Sequence, residues 1–462
     1  QGLRWLVGLH DARLNGILAD DMGLGKTVQV IALLCYLVEV RGEVGPFLIA
    51  APSSVLPNWA GELARWAPRL KVVDYHGSAE TREQIWLEQV GWGPGGWGSC
   101  VYEFLMGRYD RPRLSRLRYC HIIVDEGHRL KNAGCKLNSE LAHYRTSSRL
   151  LLTGTPLQNR LDELWSLLNF LMPSLFDSGD DFAAWFSAPL DALRGAGGCG
   201  SREGDVLRPF MLRRLKESVA SELPAKSEVV LTAALGPYQA SLMDIVKNGF
   251  QRAAAVGGIN KAVNNTVMEM RNICNHPFIS KLHPELGESF LPHTAQRHCG
   301  LPPLVTLCGK MELLDRLLVR LHNHHTTGGC GGCGGFRHKV LLFATMTRAL
   351  DLVEEYLEWR GFEWARLDGS TAAAERGALI ADFNRPDSDT FIFLLSLKAG
   401  GVGLNLQAAD TVILYDTDWN PQLDLQAQAR AHRIGQTREV RVFRLLTAGT
   451  IEQHIAAVAE EK

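Results

Sequence analysis

Residues 14–37 read "LNGILADDMGLGKTVQVIALLCYL", and they decide the fold. A short apolar run leads into a glycine-bearing turn, and a long helical pattern follows. Glycines 23 and 25 let the backbone curl with its N–H groups facing inward. The helix that follows aims its positive end at the same point, so a polyphosphate is the ligand such a turn is built to meet. Lys26 is placed to reach the β and γ phosphates, and Thr27 to hold Mg²⁺ through its hydroxyl. One position departs from the general pattern. A glycine usually opens the loop five residues before Gly25, and Asp20 stands there instead. A chance glycine turn at a helix start is the competing explanation, and the rest of the chain has to decide.

Working outward, six apolar runs bounded by turn residues alternate with helical patterns: "PFLIAAP", "HIIVDEG" and "RLLLTGTP" within 46–156, then "KVLLFAT", "FIFLLS" and "TVILYDT" within 339–417. Continuous apolar strands separated by helices indicate parallel sheets buried on both faces. The economical fold is α/β, with two doubly wound parallel-sheet lobes. Between them the pattern is expected to be helical over 157–195 and over most of 206–290. The division expected is a first lobe over 1–195, a helical linker, brace and protrusion over 196–300, and a second lobe over 301–462. A Gly/His/Cys-rich stretch, 322–338, reads as a flexible surface insertion.

The second piece of chemistry is "HIIVDEGH", where a strand ends in Asp125-Glu126. Carboxylates at the C-terminal end of such a strand face the ligand crevice of the sheet. Asp125 is suited to bind Mg²⁺ through water, and Glu126 to orient and deprotonate an attacking water. An acidic pair after a strand is common on surfaces. A phosphate loop roughly a hundred residues upstream gives this pair its weight. In the second lobe, Arg430 and Arg433 of "QAQARAHRIGQ" are spaced i, i+3, so they share one helix face. Arginines supplied from another domain stabilise the charge that spreads over the γ-phosphate oxygens.

These pieces keep company. "DMGLGKT", "DEGHRLKN", "LLLTGTPLQN", "RLDGST", "SLKAGGVGLNLQAADTVI" and "DTDWNPQLDLQAQARAHRIGQ" occur in this order. The series resembles the motifs of the superfamily 2 ATPases of SWI/SNF chromatin remodellers, and "RNICNHPF" and "QAADTVILYDTDWNPQ" resemble the Brahma/SPLAYED group, SPLAYED especially. The resemblance covers nearly the whole chain, and the first motif of that family commonly carries Asp at the position of Asp20. It implies an ATP-dependent double-stranded DNA translocase, the nuclear motor of a nucleosome-remodelling complex. Partners would be duplex DNA, nucleosomes and histones, and other subunits of the complex.

Carried onto this sequence, the resemblance gives Lys26, Asp125, Glu126, Arg430 and Arg433 catalytic roles. It places ATP against Asp21, Met22, Gly23, Leu24, Gly25, Lys26, Thr27, Gly403 and Gln436, with Mg²⁺ at Thr27 and Asp125. Duplex contacts would come from Ser53, Ser54, Lys131 and Asn132 in the first lobe, and from Thr345, Lys398 and Asn405 in the second. Thr153-Gly154-Thr155 would couple the ATP site to the DNA side. The segment "VLRPFMLRRLKESV", 206–219, resembles the brace that leaves the first lobe, although Arg213, Arg214 and Lys216 equally fit a solvated helix face. Two other readings compete with the remodelling motor. One is a repair or recombination translocase. The other is a non-catalytic nucleosome-binding scaffold.

Three departures stand against the family pattern. No helix precedes "LRPF", where a glycine-bearing loop leads in. The stretch "GWGPGGWGSCVYEFLM", 91–106, has Ser99 and Cys100 where two threonines are usual, and its glycines make a poor strand. The aromatic-glutamine motif that reads adenine would lie upstream of Gln1, and both ends of the chain read as cuts from a longer protein.

Composition fits this reading and narrows it. The chain has 462 residues, 46% of them apolar and 21% charged, with a formal net charge of −1. That length calls for more than one domain, and the charge means any DNA-binding surface must be local. Ten cysteines without framework spacing point to a reducing compartment. No apolar run is long enough to span a membrane. Cys330 and Cys333, with His322, His324, His325 and His338 nearby, have one zinc-like spacing and no second pair. Cys274-Asn275-His276 reads better as a helix-end packing motif than as a metal site.

Overall fold

The computed structural model describes residues 1–53, 55–90, 97–130, 136–154, 161–173, 176, 209–219, 223–255, 259–283, 300–326, 338–397 and 404–460. Two compact units divide the chain, Gln1–Ser221 and Glu222–Lys462. The described parts of 196–300 are shared between them.

Each unit is built on one sheet. The first contains β1 (Gly16–Leu18), β2 (Phe47–Ala51), β3 (Val72–Tyr75), β4 (Trp97–Val101), β5 (Arg118–Val124), β6 (Arg145–Leu152) and β7 (Met211–Leu212), in the order β3-β4-β2-β5-β6-β1-β7. The second contains β8 (Lys226–Ala233), β9 (Val340–Ala344), β10 (Trp364–Leu367), β11 (Ile392–Ser396), β12 (Thr411–Leu414) and β13 (Val440–Thr447), in the order β10-β11-β9-β12-β13-β8. Every pairing in both sheets is parallel. All six apolar runs read from the sequence are strands, and β2, β9, β11 and β12 are buried at every position. Parallel sheets need cover on both faces, which is why these strands carry no polar alternation.

Two strands stand where the sequence did not announce them. Most of 206–290 was expected to be helical, and the helices Pro237–Ala255 and Ile259–Asn275 do fill most of its described part, but it also holds β8, eight residues that among the described residues pair with β13. As an edge strand β8 has no continuous apolar run, and its Val229 and Val230 are exposed. The edge position removes the signal that marks the central strands. The glycine-rich stretch 91–106 was expected to make a weak strand or none. Instead β4 forms over Trp97–Val101 and pairs with β2 on one side and β3 on the other. The polar and glycine positions are tolerated because two ladders hold the backbone. In addition, the helix Gly309–Thr326 extends into the stretch read as a flexible insertion.

Each sheet carries its own apolar core. In the first unit Ile17, Leu48, Ile122, Val124 and Leu151 pack with Phe170 and Tyr144. In the second, one cluster gathers Val340, Leu342, Leu394 and Ile413, and another gathers Leu341, Phe343, Phe393 and Val412 on the opposite strand face. The alternation along β9, with one set of side chains to each cluster, is the period-two geometry of a strand. No helix of the described residues is long and apolar enough to cross a membrane.

Candidate active site

β6 lies between β1 and β5, so the three C-terminal ends are neighbours. Beyond Leu18 the chain turns through the glycine loop, with Gly23 at φ +87° and Gly25 at φ +71°. These are left-handed conformations that side chains resist. Gly25 caps the helix Lys26–Glu39, and its carbonyl accepts from Gln29 N–H at 3.0 Å. Lys26 Nζ donates to the carbonyls of Asp20 at 2.7 Å and Asp21 at 3.4 Å. Desolvation holds its pKa below the ordinary lysine value, while Glu126 and then Asp125 pull the other way. Lysine, both acids and the loop therefore share one pocket of charge.

From β6, Thr153 N–H donates to Leu18 O at 3.1 Å. Gly154 follows, and a Cβ there would meet Met22 Cγ at 2.4 Å and stand 3.4 Å from Lys26 Nζ. A side chain there would force Met22 to shift, so glycine gives this turn its close packing on the phosphate loop. Thr155 lies outside the described residues.

At the end of β5, Asp125 N–H donates to Ala50 O at 2.8 Å. One carboxylate oxygen accepts from Glu126 N–H at 2.8 Å, and the other from the indole Nε1 of Trp59 at 2.8 Å. Burial, and then the Glu126 charge, push the Asp125 carboxyl up to about 6. The two hydrogen bonds and Lys26 oppose that rise. Glu126 sits at φ +52°. A non-glycine residue in the left-handed region costs roughly 1–3 kcal/mol and is concentrated at working sites. Hydroxyl and carboxylate oxygens, with water, are the hard donor set that Mg²⁺ prefers. Thr27 and Asp125 fit that ion.

The structure also explains Asp20. It is fully buried. Arg214 Nε donates to its Oδ1 at 2.9 Å, Arg214 Nη2 to its Oδ2, and Gln29 Nε2 to its Oδ2 at 3.2 Å. Arg214 N–H adds a bond at 3.1 Å, and Lys216 N–H donates to Asp21 at 3.1 Å. The carboxylate at the start of the loop is thus an anchor for the segment after β7. Of the basic residues there, Arg213 is exposed as a solvated side chain would be, and Arg214 is not.

In the second unit, the one-face reading of Arg430 and Arg433 is corrected. The helix Pro421–Ala431 begins at the Asn420 cap, and its capping residue at the far end is His432, so Arg433 lies beyond it. Gly435 at φ +98° turns the chain. Gln436 then clamps the turn. Its Nε2 donates toward the carbonyls of Ala409 at 2.9 Å, Ala431 at 3.0 Å and Gln407 at 3.1 Å, and its Oε1 accepts from the N–H groups of Thr437 and Arg438. Gln436, grouped with the nucleotide residues by the resemblance, has both ends of its amide committed to the backbone. Arg430 is buried and Arg433 half-buried.

Among the expected duplex contacts, Ser53 is exposed in the turn after β2. Thr345, at the end of β9, gives both its hydroxyl and its N–H to Asp416 at the end of β12. Arg271 Nη2 donates to the Thr345 hydroxyl at 3.2 Å and to Thr417 O at 3.0 Å. Asn275 and the fully buried Lys310 continue this network to Glu452. Asn405 Oδ1 is buried with no hydrogen-bond partner among the described residues. Ser54, Lys131, Asn132, Lys398 and Gly403 lie outside the described residues, as do Cys330, Cys333 and the segment before "LRPF".

Of the other expected ligands, His338 bonds Asp410 at 2.9 Å and His322 stacks on Phe362. His276 caps and packs a helix end, as expected. Its Nε2 donates to Leu304 O at 2.8 Å, and its Nδ1 accepts from Phe278 N–H at 3.1 Å.

Two all-parallel α/β units, the first with a glycine loop, a lysine and an acidic pair at adjoining strand ends, define a phosphate-loop protein of the helicase-like class. The SNF2-related domain matches residues 1–279, and the helicase conserved C-terminal domain matches residues 310–435. The chain belongs to the SNF2-related family. It is 50% identical over 477 residues to the chromatin structure-remodeling complex protein SYD of Arabidopsis thaliana, covering 100% of this chain and 13% of that protein. It is 43% identical over 484 residues to the ATP-dependent helicase brm of Drosophila melanogaster, covering 28% of it. With the nuclear protein STH1/NPS1 of Saccharomyces cerevisiae it shares 43% over 491 residues, 34% of that protein. The chain thus spans well under half of each of these relatives. A solved structure, the Sulfolobus solfataricus SWI2/SNF2 ATPase core in complex with dsDNA, is 29% identical with a TM-score of 0.45, covering 100% of this chain and 89% of that one.

Proposed function

We propose that this chain is a DNA-dependent ATPase that translocates on double-stranded DNA, the motor of a SWI/SNF-type nucleosome-remodelling complex in the nucleus. The observation that carries the reading is the convergence of Lys26, Asp125, Glu126 and Gly154 at the ends of β1, β5 and β6 in a member of the SNF2-related family. The printed names of its relatives, a remodelling-complex protein and a nuclear protein among them, agree with it.

In this reading Glu126 takes the proton of a water that attacks the γ-phosphorus. The bond from that phosphorus to the β–γ bridging oxygen breaks, leaving ADP and phosphate. The N–H groups of residues 22, 23 and 25–27 cradle the phosphates, while those of Asp21 and Leu24 stay with Arg214 O at 2.9 Å and Asp21 O at 3.3 Å; Gly403 is the further nucleotide residue that the resemblance names. Lys26 moves from the Asp20 and Asp21 carbonyls to the β and γ phosphates. Arg430 and Arg433 supply positive charge to the γ-phosphate oxygens, and Gln436 holds the turn that carries Arg433. Thr27 and Asp125 would hold Mg²⁺, which would supply neutralisation of charge on the phosphates.

Ser53, Ser54, Lys131 and Asn132 in the first unit, and Thr345, Lys398 and Asn405 in the second, grip the duplex through phosphates. Binding of this kind is sequence-tolerant and weakens steeply with salt. Thr345 must loosen its bonds to Asp416 to take part. The direct experiment is displacement of a third strand from a triplex by the protein moving along the duplex with ATP. ATP-dependent release is expected. No release, from folded protein that binds duplex DNA, would refute translocation.

A further inference from the structure

We propose that Trp59 is a positioning residue for the candidate metal-holding acid: its indole N–H fixes the Asp125 carboxylate for the Mg²⁺ that accompanies ATP. The inference deepens the function just proposed and rests on it.

The helix Leu56–Trp66 contains two tryptophans with opposite fates. Trp66 is half exposed, and its Nε1 donates to Glu62 one turn away on the same helix. Trp59 is wholly buried, and its Nε1 donates to Asp125 Oδ2 at 2.8 Å across 66 residues of sequence. A buried indole N–H needs an acceptor. Almost any backbone carbonyl would serve, and here the acceptor is the side chain of a candidate metal ligand.

The other oxygen of the same carboxylate holds Glu126 N–H at 2.8 Å. Two donors from separate elements, one on each oxygen, fix the rotation of the carboxylate group. Neither donor uses up its oxygen, since a carboxylate has about four lone-pair positions. Each oxygen keeps one for water or metal. The same part of the chain holds the backbone of this acid: Asp125 N–H donates to Ala50 in β2, and the helix carrying Trp59 starts just after that strand. Main chain and carboxylate are therefore placed by one strand-turn-helix. Partners that orient a metal ligand typically matter by about 10–100-fold in metal affinity or activity.

The test is Trp59→Phe in the full chain, with Trp66→Phe as the companion. Mn²⁺, as the probe, is titrated in the presence of a non-hydrolysable ATP analogue and followed by electron paramagnetic resonance. The Mg²⁺ dependence of ATP hydrolysis is measured beside it. The expected result for Trp59→Phe is Mn²⁺ binding weakened by roughly 10-fold or more, with hydrolysis recovering as Mg²⁺ is raised. Trp66→Phe is expected to match the wild type. Where Trp59→Phe lowers the melting temperature, 3-benzothienylalanine at position 59 gives the deciding reading, because it keeps the ring volume and removes only the N–H. Unchanged Mn²⁺ affinity in a folded protein lacking that N–H would overturn the role of Trp59 alone. A wild type that binds no Mn²⁺ with the nucleotide analogue would overturn the metal site and Trp59 together.

Discussion

Asp20 occupies a glycine position of the general phosphate loop, and its surroundings change what that position does. Its carboxylate is buried under Arg214, which reaches it across 194 residues of sequence. Removing one partner of a buried pair strands the other charge and costs about 3–5 kcal/mol. Arg214→Ala is expected to lower the stability of the first unit by that order, read by urea denaturation, with Arg213→Ala near neutral. A loss under about 1 kcal/mol would show the pair to be ornamental. Lys26, Asp125 and Glu126 were legible in the sequence because loop and acidic pair keep fixed local spacing. Trp59 and Arg214 were not, because their bonds join segments that only the folded sheet brings together. Arg430 and Arg433 were placed on one helix face because their spacing allows it, and no spacing reveals that Gly435 and Gln436 close the turn.

At the scale of the element, β4 and the end of the helix Ile259–Asn275 give two checks. Ser99 lies within β4, opposite Ile49 of β2 and Asp74 of β3. Proline there removes a ladder donor inside the sheet. Ser99→Pro is expected to leave the first unit unfolded or far less stable by circular dichroism, and a well-folded variant would contradict the pairing. The strand was hard to read because its sequence has no apolar run, while its backbone pairs in ladders on both sides. β8 was hard to read for the opposite reason, since among the described residues it lies at the sheet edge beside β13.

The second check is His276, beside that helix end. Its Nδ1 accepts a backbone N–H and its Nε2 donates to a carbonyl, so the neutral ring is the one the fold accommodates. Burial brings its pKa down to about 4. An unfolded histidine titrates near 6.5. The unfolded chain therefore takes up the proton first, and the stability this group contributes is present above pH 6.5 and lost as pH falls toward 4. Between pH 7 and pH 5 the second unit is expected to lose about 2 kcal/mol through this ring. Denaturant unfolding of the wild type and of His276→Asn at both values checks it. Equal slopes for the two proteins would contradict the assignment.

For the whole molecule, both parallel sheets were legible, because strands buried on two faces announce themselves as apolar runs. A phosphate-gripping motor should also be sensitive to salt. Duplex-stimulated ATP hydrolysis is expected to fall steeply between about 50 and 200 mM salt, while hydrolysis without DNA changes little. A stimulation insensitive to salt would point to contacts other than phosphates.

The measurement that bears most directly on the motor is ATP hydrolysis by this chain with and without double-stranded DNA, beside Lys26→Ala. Strong stimulation by the duplex, abolished in Lys26→Ala, is the expected result. Folded protein that hydrolyses no ATP in the presence of duplex DNA would contradict it, and would favour a nucleosome-binding scaffold in place of a motor.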